Sequence, residues 1–278
     1  MSFDAFQSKL EKEIKRHFPN EVEVKFKEVE IGNGIFHTGM EIRDGRKDFV
    51  PVFDVEELYE ETGDDENKIE AAAKELVSQY QEAANFGEKE FDVIKDLNKI
   101  EGSIYFQFIN YEKNKDLLKE IPHKKWMDLA IVLYLYCEQG EESYLTLITK
   151  EQVEKWDTSE RYLFEKAQEN TPIKFPAQIQ LLPEQTDDKL YVLTNEQMSR
   201  GAACLLYPDV LKQFAASQNG DVYIIPASVN EVILMKADGN LEEAEAVLAV
   251  LREKSVSAED VLSDVVYLYK KDNNTINM

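Results

Sequence analysis

Side chains able to do chemistry are unevenly supplied in this chain. There are three histidines (His17, His37 and His123) and two cysteines (Cys137 and Cys204), against 55 aspartates and glutamates. A structural zinc site takes about four thiolate or imidazole ligands, and no HxH, HExxH or CxxC spacing joins these five residues. No metal and no cofactor is therefore expected. Both cysteines lie in apolar runs, YLYC and AACLLY. Apolar burial raises a thiol's pKa away from nucleophilic use, so both are expected as buried, reduced core residues. A G-x-S-x-G elbow is absent from the sequence. The G-N-G at 32–34 lacks the third glycine and the lysine of a phosphate loop, and reads as a hairpin turn. Asp64-Asp65-Glu66-Asn67 lacks EF-hand spacing. Trp126 and Trp156 read as core anchors rather than ligand contacts. Carboxylates and amides remain, and sequence alone does not say which of them converge.

The polar groups with a definite placement lie in residues 189–235. Four apolar runs, at 190–193, 202–207, 222–225 and 232–235, are expected as neighbouring strands, with a helix before the third. Their joints hold Asn195, Glu196, Ser199, Arg200, Ser228, Asn230 and Glu231. If the third strand runs parallel to the first, both turns leave the same end of the sheet. Asn195, Glu196, Arg200, Ser228, Asn230 and Glu231 then form one polar rim for a ligand or a partner loop. If the two strands are antiparallel, the rim does not exist. Asn and Ser in such turns commonly close the turn through backbone hydrogen bonds. The functional alternative is a binding rim carried by loops on a rigid sheet.

The elements around this stretch follow from periodicity. Phe3, Phe6, Leu10, Ile14 and Phe18 mark an amphipathic helix closed by Pro19. Alternation at 22–27, the turn at 32–34 and the run 35–42 predict a hairpin, and 48–54 a third extended piece. Ile69, Ala72, Leu76, Tyr80 and Ala83 mark a long helix interrupted at Gly87 and resumed to about residue 99. Residues 103–109 read as a strand, 126–137 as one continuous buried strand after a break at 122–125, and 144–149 as its partner beyond a turn at 138–142. Helices are expected at 150–156 and 159–170, and an extended connector at 171–183. A turn at 238–240 leads to a helix with Leu241, Ala244, Val247, Leu248 and Leu251 on one face. A last strand is expected at 265–270, and frayed residues beyond it. The fold class is α+β: a mostly antiparallel sheet with helices packed on its faces, plus a small N-terminal α-β-β-α lobe. The division falls near 100, giving 1–100 and 101–278, or one continuous domain.

Composition narrows the partners. The net charge of −23 and pI near 4.6 oppose direct contact with nucleic acid or anionic membranes. Residues 56–66 carry seven acids and no base, read as an exposed helix end and loop, with the other acids dispersed as a solvated shell. The first residues lack a signal-peptide layout, and the longest apolar run is too short to span a bilayer. A cytoplasmic protein is expected.

N-Y-E-K-N at 110–114, P-H-K-K-W-M-D-L-A at 122–130, G-A-A-C-L-L-Y-P at 201–208 and Y-I-I-P-A-S-V-N-E-V-I-L at 223–234 resemble an uncharacterised family of clostridial gut bacteria, domain of unknown function 5688. The succession of elements from 144 to 235 more faintly resembles domain of unknown function 1444. Neither resemblance implies an activity, cofactor or catalytic residue. The family pattern often has a histidine where this chain has Asn230, and a serine where it has Ala227. A mechanism built on that histidine would not operate here unchanged. Three functions fit the sequence. The first is a non-catalytic module binding a protein or a small polar ligand. The second is an enzyme whose carboxylates and amides converge at the end of the sheet. The third is an acidic nucleic-acid mimic.

Overall fold

The computed structural model describes residues 1–18, 22–43, 51–139, 142–182, 190–239 and 241–278, with backbone alone at 84–94, 139, 142 and 144. Pro19, the start of the 48–54 run, the middle of the 138–142 turn, Pro183 and Asn240 lie outside the described residues. The chain divides into two compact units, one of residues 1–31 and 35–99, the other of 32–34 and 100–278.

In the first unit, α1 (Phe3–Arg16) starts at Ser2, whose Oγ accepts the Ala5 N–H at 3.3 Å. Asp4 in its first turn and Lys15 and Arg16 in its last complement the helix dipole. Phe6, Leu10 and Ile14 are fully buried at helical spacing. Strands β1 (Glu23–Gly32), β2 (Ile35–Arg43) and β3 (Val52–Asp54) form a sheet in that order. Asn33 and Gly34 both take positive φ, as the predicted tight turn requires. Helices α2 (Glu56–Thr62) and α3 (Glu66–Ile94) follow. Ile69, Ala73, Leu76 and Tyr80 of α3 join Phe6, Leu10, Val24, Met40 and Ile42 in one core. The expected interruption at Gly87 does not occur, and α3 continues through it. One interior glycine costs a helix only about 1 kcal/mol. The acidic stretch 56–66 is helix α2, a turn and the cap of α3, where Asp65 Oδ1 accepts the N–H groups of Asn67 and Lys68. Glu41 is buried on β2 against Lys27 and Arg43. The Lys27 hydrogen bond, then that of Arg43, holds its carboxyl below the usual range.

A helical turn, α4 (Leu97–Ile100), leads to β4 (Ile104–Asn110), α5 (Leu117–Glu120), β5 (His123–Trp126), β6 (Leu129–Gln139) and β7 (Glu142–Leu147). β6 pairs antiparallel with β4, β5 and β7. The single strand expected at 126–137 is therefore a hairpin. Met127 takes φ 54°, and Asp128 accepts from Ser263 Oγ at 2.7 Å and Tyr267 OH at 2.5 Å. The supposed break at 122–125 is β5, whose lysines cover aromatic rings: Lys124 over Phe164 at 4.2 Å and Lys125 over Tyr111 at 4.4 Å. Trp126 packs on Phe108 and Tyr267. The expectation that both cysteines are buried needs correction. Cys204 is fully buried, whereas Cys137 is partly exposed. β4 pairs with β6 only as far as Leu135, so Cys137 lies beyond its cover.

Helix α6 (Lys150–Lys155) begins with a Thr149–Gln152 capping box, and α7 (Glu160–Lys174) with Ser159. α7 runs through Pro172, and the expected connector contains β8 (Ala177–Leu181). Then come β9 (Leu190–Asn195), α8 (Val210–Gln218), β10 (Val222–Ile225), β11 (Val232–Lys236), α9 (Leu241–Lys254), β12 (Tyr267–Lys270) and β13 (Thr275–Asn277). β13 occupies the end that was expected to fray. These strands form a sheet of order β13-β12-β10-β11-β9-β8 with every neighbouring pair antiparallel. Tyr223, Ile225, Ile233 and Met235 pack against Ala244 and Leu248 of α9. The fold is α+β, with antiparallel strands divided among separate sheets. The run at 202–207 is not a strand: Gly201–Leu206 is a buried 3-10 helix. A continuous apolar run without alternation does not distinguish the two.

Candidate functional site

β11 lies between β9 and β10 and is antiparallel to both, so β9 and β10 point the same way. The turn after β9 and the connection after β10 therefore leave the same end of the sheet. They are joined by hydrogen bonds. The Asn230 carbonyl accepts from Gly201 N at 2.9 Å and Thr194 Oγ1 at 2.8 Å. Asn230 Oδ1 accepts from Arg200 N at 3.0 Å, and its Nδ2 donates to Asp260 Oδ2 at 3.1 Å. The Asn230 N–H donates to Ser228 Oγ at 3.0 Å. Gly201 makes this approach feasible. A Cβ there would lie 2.1 Å from Thr194 Oγ1 and 2.7 Å from the Asn230 carbonyl oxygen.

The six rim residues divide into two groups. Asn195 is buried and closes its own turn, with Oδ1 accepting from Gln197 N and Ser199 N and Nδ2 donating to the Ser199 carbonyl. Glu196 is exposed, and its backbone N–H donates to the Pro176 carbonyl. Arg200 takes φ 55°, donates to Ser199 Oγ at 2.9 Å and lies 5.9 Å from the Tyr134 ring centre. Those three do not border the cavity that the other three share. Ser228, Asn230 and Glu231 border it, and its volume is about 350 Å³.

The opposite wall of this cavity is the segment after α9, which carries Val256, Ser257 and Asp260, with Ile233 and Leu251 as apolar lining. Ser228 forms an antiparallel bridge with Val261. Val229 N donates to the Asp260 carbonyl at 3.0 Å, and Leu262 N to that of Ala227 at 3.1 Å. Asn33, which belongs to this unit, donates its Nδ2 to the carbonyls of Ala258, Glu259 and Val261. Asn110 donates to the Leu262 carbonyl at 2.9 Å, and Asp128 holds Ser263. Asn110 and Asp128, from two of the sequence motifs, thus fix the wall that presents Asp260. Asp260, Ser257, Val256 and Leu251 carried no local sequence signal of a place in the site, since they stand 20 to 29 residues beyond Glu231.

Glu231 differs from its neighbours. It is partly buried, and burial pushes its carboxyl above the usual glutamate range. Its carboxylate has no hydrogen-bond or ion-pair partner among the described residues, and no lysine, arginine or histidine lines the cavity. The arrangement offers two carboxylates, Glu231 and Asp260, hydroxyl groups and an apolar side. Such a cavity can accept hydrogen bonds from a cationic or donor-rich small molecule.

Other candidate groups are committed elsewhere. His37 Nδ1 contacts Asp54 Oδ2 at 2.6 Å, His123 lies against the Ile121 carbonyl, and His17 is the C-cap of α1. Among the described residues, no group of three or more His, Cys, Asp or Glu side chains is placed to hold a metal ion. The Cys204 thiol is pushed up to about 12 by burial. No helix among the described residues is long and apolar enough to cross a membrane.

Fold and cavity define an α+β protein with a small polar pocket at the end of an antiparallel sheet. The chain belongs to the family of unknown function DUF5688, whose model matches residues 3–271. No curated protein and no solved structure matches it.

Proposed function

We propose that the chain is a non-catalytic binding module that holds a small polar ligand bearing an ammonium or amidinium group in the Glu231 cavity. The observation that carries this reading is the partly buried Glu231 carboxylate with no partner among the described residues, in a cavity without a base. An uncompensated buried charge is costly, and such groups concentrate at functional sites. A cationic ligand would supply the missing partner. Ser228 and Asp260 offer further acceptors, and Ile233, Leu251 and Val256 suit a short apolar stem. The volume lies at the low end of the range for ligand pockets, about 300–1,000 Å³, which favours a compact ligand. The net charge of −23 would raise the local concentration of cations. A reducing cytoplasm is the compartment this reading assumes, in keeping with the buried Cys204 thiol.

The test is calorimetric titration of the whole chain with agmatine, putrescine and choline at about 0.15 M NaCl, where diffuse surface attraction is screened. At least one probe is expected to bind with one-to-one stoichiometry, and Glu231→Gln to weaken it by about tenfold or more. Failure of all three probes, or equal binding by Glu231→Gln, would overturn the reading.

A further inference from the structure

We infer that the groove of the first unit, between β3, α2 and α3, is a docking surface for a basic amphipathic helix of a partner protein. The groove lies wholly within that unit and has a volume of about 710 Å³. Its long wall is one face of α3. Lys68, Ala71, Ala72, Glu75, Leu76 and Gln79 line it at the i, i+3, i+4, i+7, i+8 and i+11 positions of a helix. That stripe runs three turns, roughly 16 Å at 1.5 Å per residue, which matches three turns of an occupying helix. Ala71 and Ala72 make a shallow floor over which another helix can approach closely, and Leu58 and Phe53 add apolar surface.

The charge around this floor selects the occupant. Glu57 and Glu61 stand on the exposed face of α2, and neither has an ion partner among the described residues. Glu75 stands opposite on α3, and Lys68 is the single base in the lining. The Lys68 ammonium is turned to the Glu61 backbone carbonyl at 3.4 Å. Some exposed acids elsewhere in this unit carry ion partners, as in Glu11–Lys15 and Glu70–Lys74; what sets Glu57, Glu61 and Glu75 apart is that they flank an apolar floor. An apolar floor rimmed by uncompensated carboxylates complements a helix with leucine or alanine on one face and lysine or arginine at its edges. A nucleic acid would be repelled by the same rim.

The experiment is fluorescence anisotropy of the whole chain at about 0.15 M NaCl with labelled helical peptides. One is a Lys/Leu amphipathic peptide. The second is a scrambled peptide of equal composition whose leucines no longer share a face. The amphipathic peptide is expected to bind about tenfold or more tightly than the scrambled one. Glu57→Lys/Glu61→Lys is expected to remove that binding, and so is Ala71→Gln, which fills the floor without changing charge. Glu154→Lys/Glu245→Lys makes the same charge change at exposed sites outside the groove and is expected to leave binding intact. Glu231→Gln, which disables the proposed ligand cavity, should also leave it intact, so the two sites fail independently. Equal binding of the two peptides, equal loss in the Glu154/Glu245 control, or no binding would each overturn the inference. Circular dichroism on every variant identifies any that has lost its fold.

Discussion

Asn230 commits its side-chain oxygen to the Arg200 N–H and its side-chain nitrogen to Asp260, while adjacent Glu231 has no side-chain partner among the described residues. Two outcomes follow at these positions. Asn230→Ala leaves the part-buried Arg200 N–H without an acceptor, a loss of about 1–3 kcal/mol that thermal or denaturant unfolding measures. Glu231→Gln behaves differently. Burial raises the folded-state pKa of Glu231 above its unfolded value. The stability linked to its proton is full below the unfolded pKa and is lost as pH rises through the folded one. Above the folded-state pKa the ionised group is a burden, so in that range the glutamine variant should melt at the same temperature or higher. A marked drop would mean that the carboxylate has a structural partner. Cys204, fully buried with its thiol pushed up to about 12, should resist alkylation at about pH 8 until the chain unfolds. Peptide mass mapping reads this directly, and labelling at the rate of an open thiol would contradict it.

At the scale of elements, Gly201→Ala forces the 3-10 helix away from β9 and the Asn230 carbonyl, at about 1–3 kcal/mol. Comparison with Gly102→Ala, where a Cβ meets nothing within 4 Å, isolates the steric effect. In the first unit, Glu41 carries a pKa lowered by Lys27 and then Arg43. Its contribution is present above the unfolded glutamate pKa and is lost as pH falls through the depressed folded value. Glu41→Gln should therefore flatten the acid limb of a stability–pH curve, and an unchanged limb would contradict this. Elements with local periodicity, such as α1, the β1–β2 hairpin and α9, were legible in the sequence. The 3-10 helix was not, because its conformation follows from close approach to β9 and Asn230 rather than from any period. Nor was the division of 126–137, where Met127 turns and Asp128 is held by Ser263 and Tyr267, more than a hundred residues away. The joints holding Ser228, Asn230 and Glu231 were visible as polar punctuation. Their opposite wall, with Asp260, is supplied by tertiary pairing alone.

At the scale of the molecule, 55 acids against 32 bases leave −23 charges on 278 residues. Self-repulsion at this density disfavours the compact state and is screened by salt. The melting temperature should rise between about 0.01 M and 0.3 M NaCl; a fall would mean that attractive pairs dominate. The same field bears on the cavity, since it favours cations at a carboxylate that the fold leaves uncompensated. The most direct measurement is a carbon-13 NMR titration of the Glu231 carboxyl in the whole chain, alone and with saturating agmatine, putrescine or choline. The account predicts a pKa above the ordinary glutamate range in the free protein. It also predicts a clear fall when at least one of these cations binds, because the cation favours the ionised form. An ordinary pKa that none of the three shifts would contradict it.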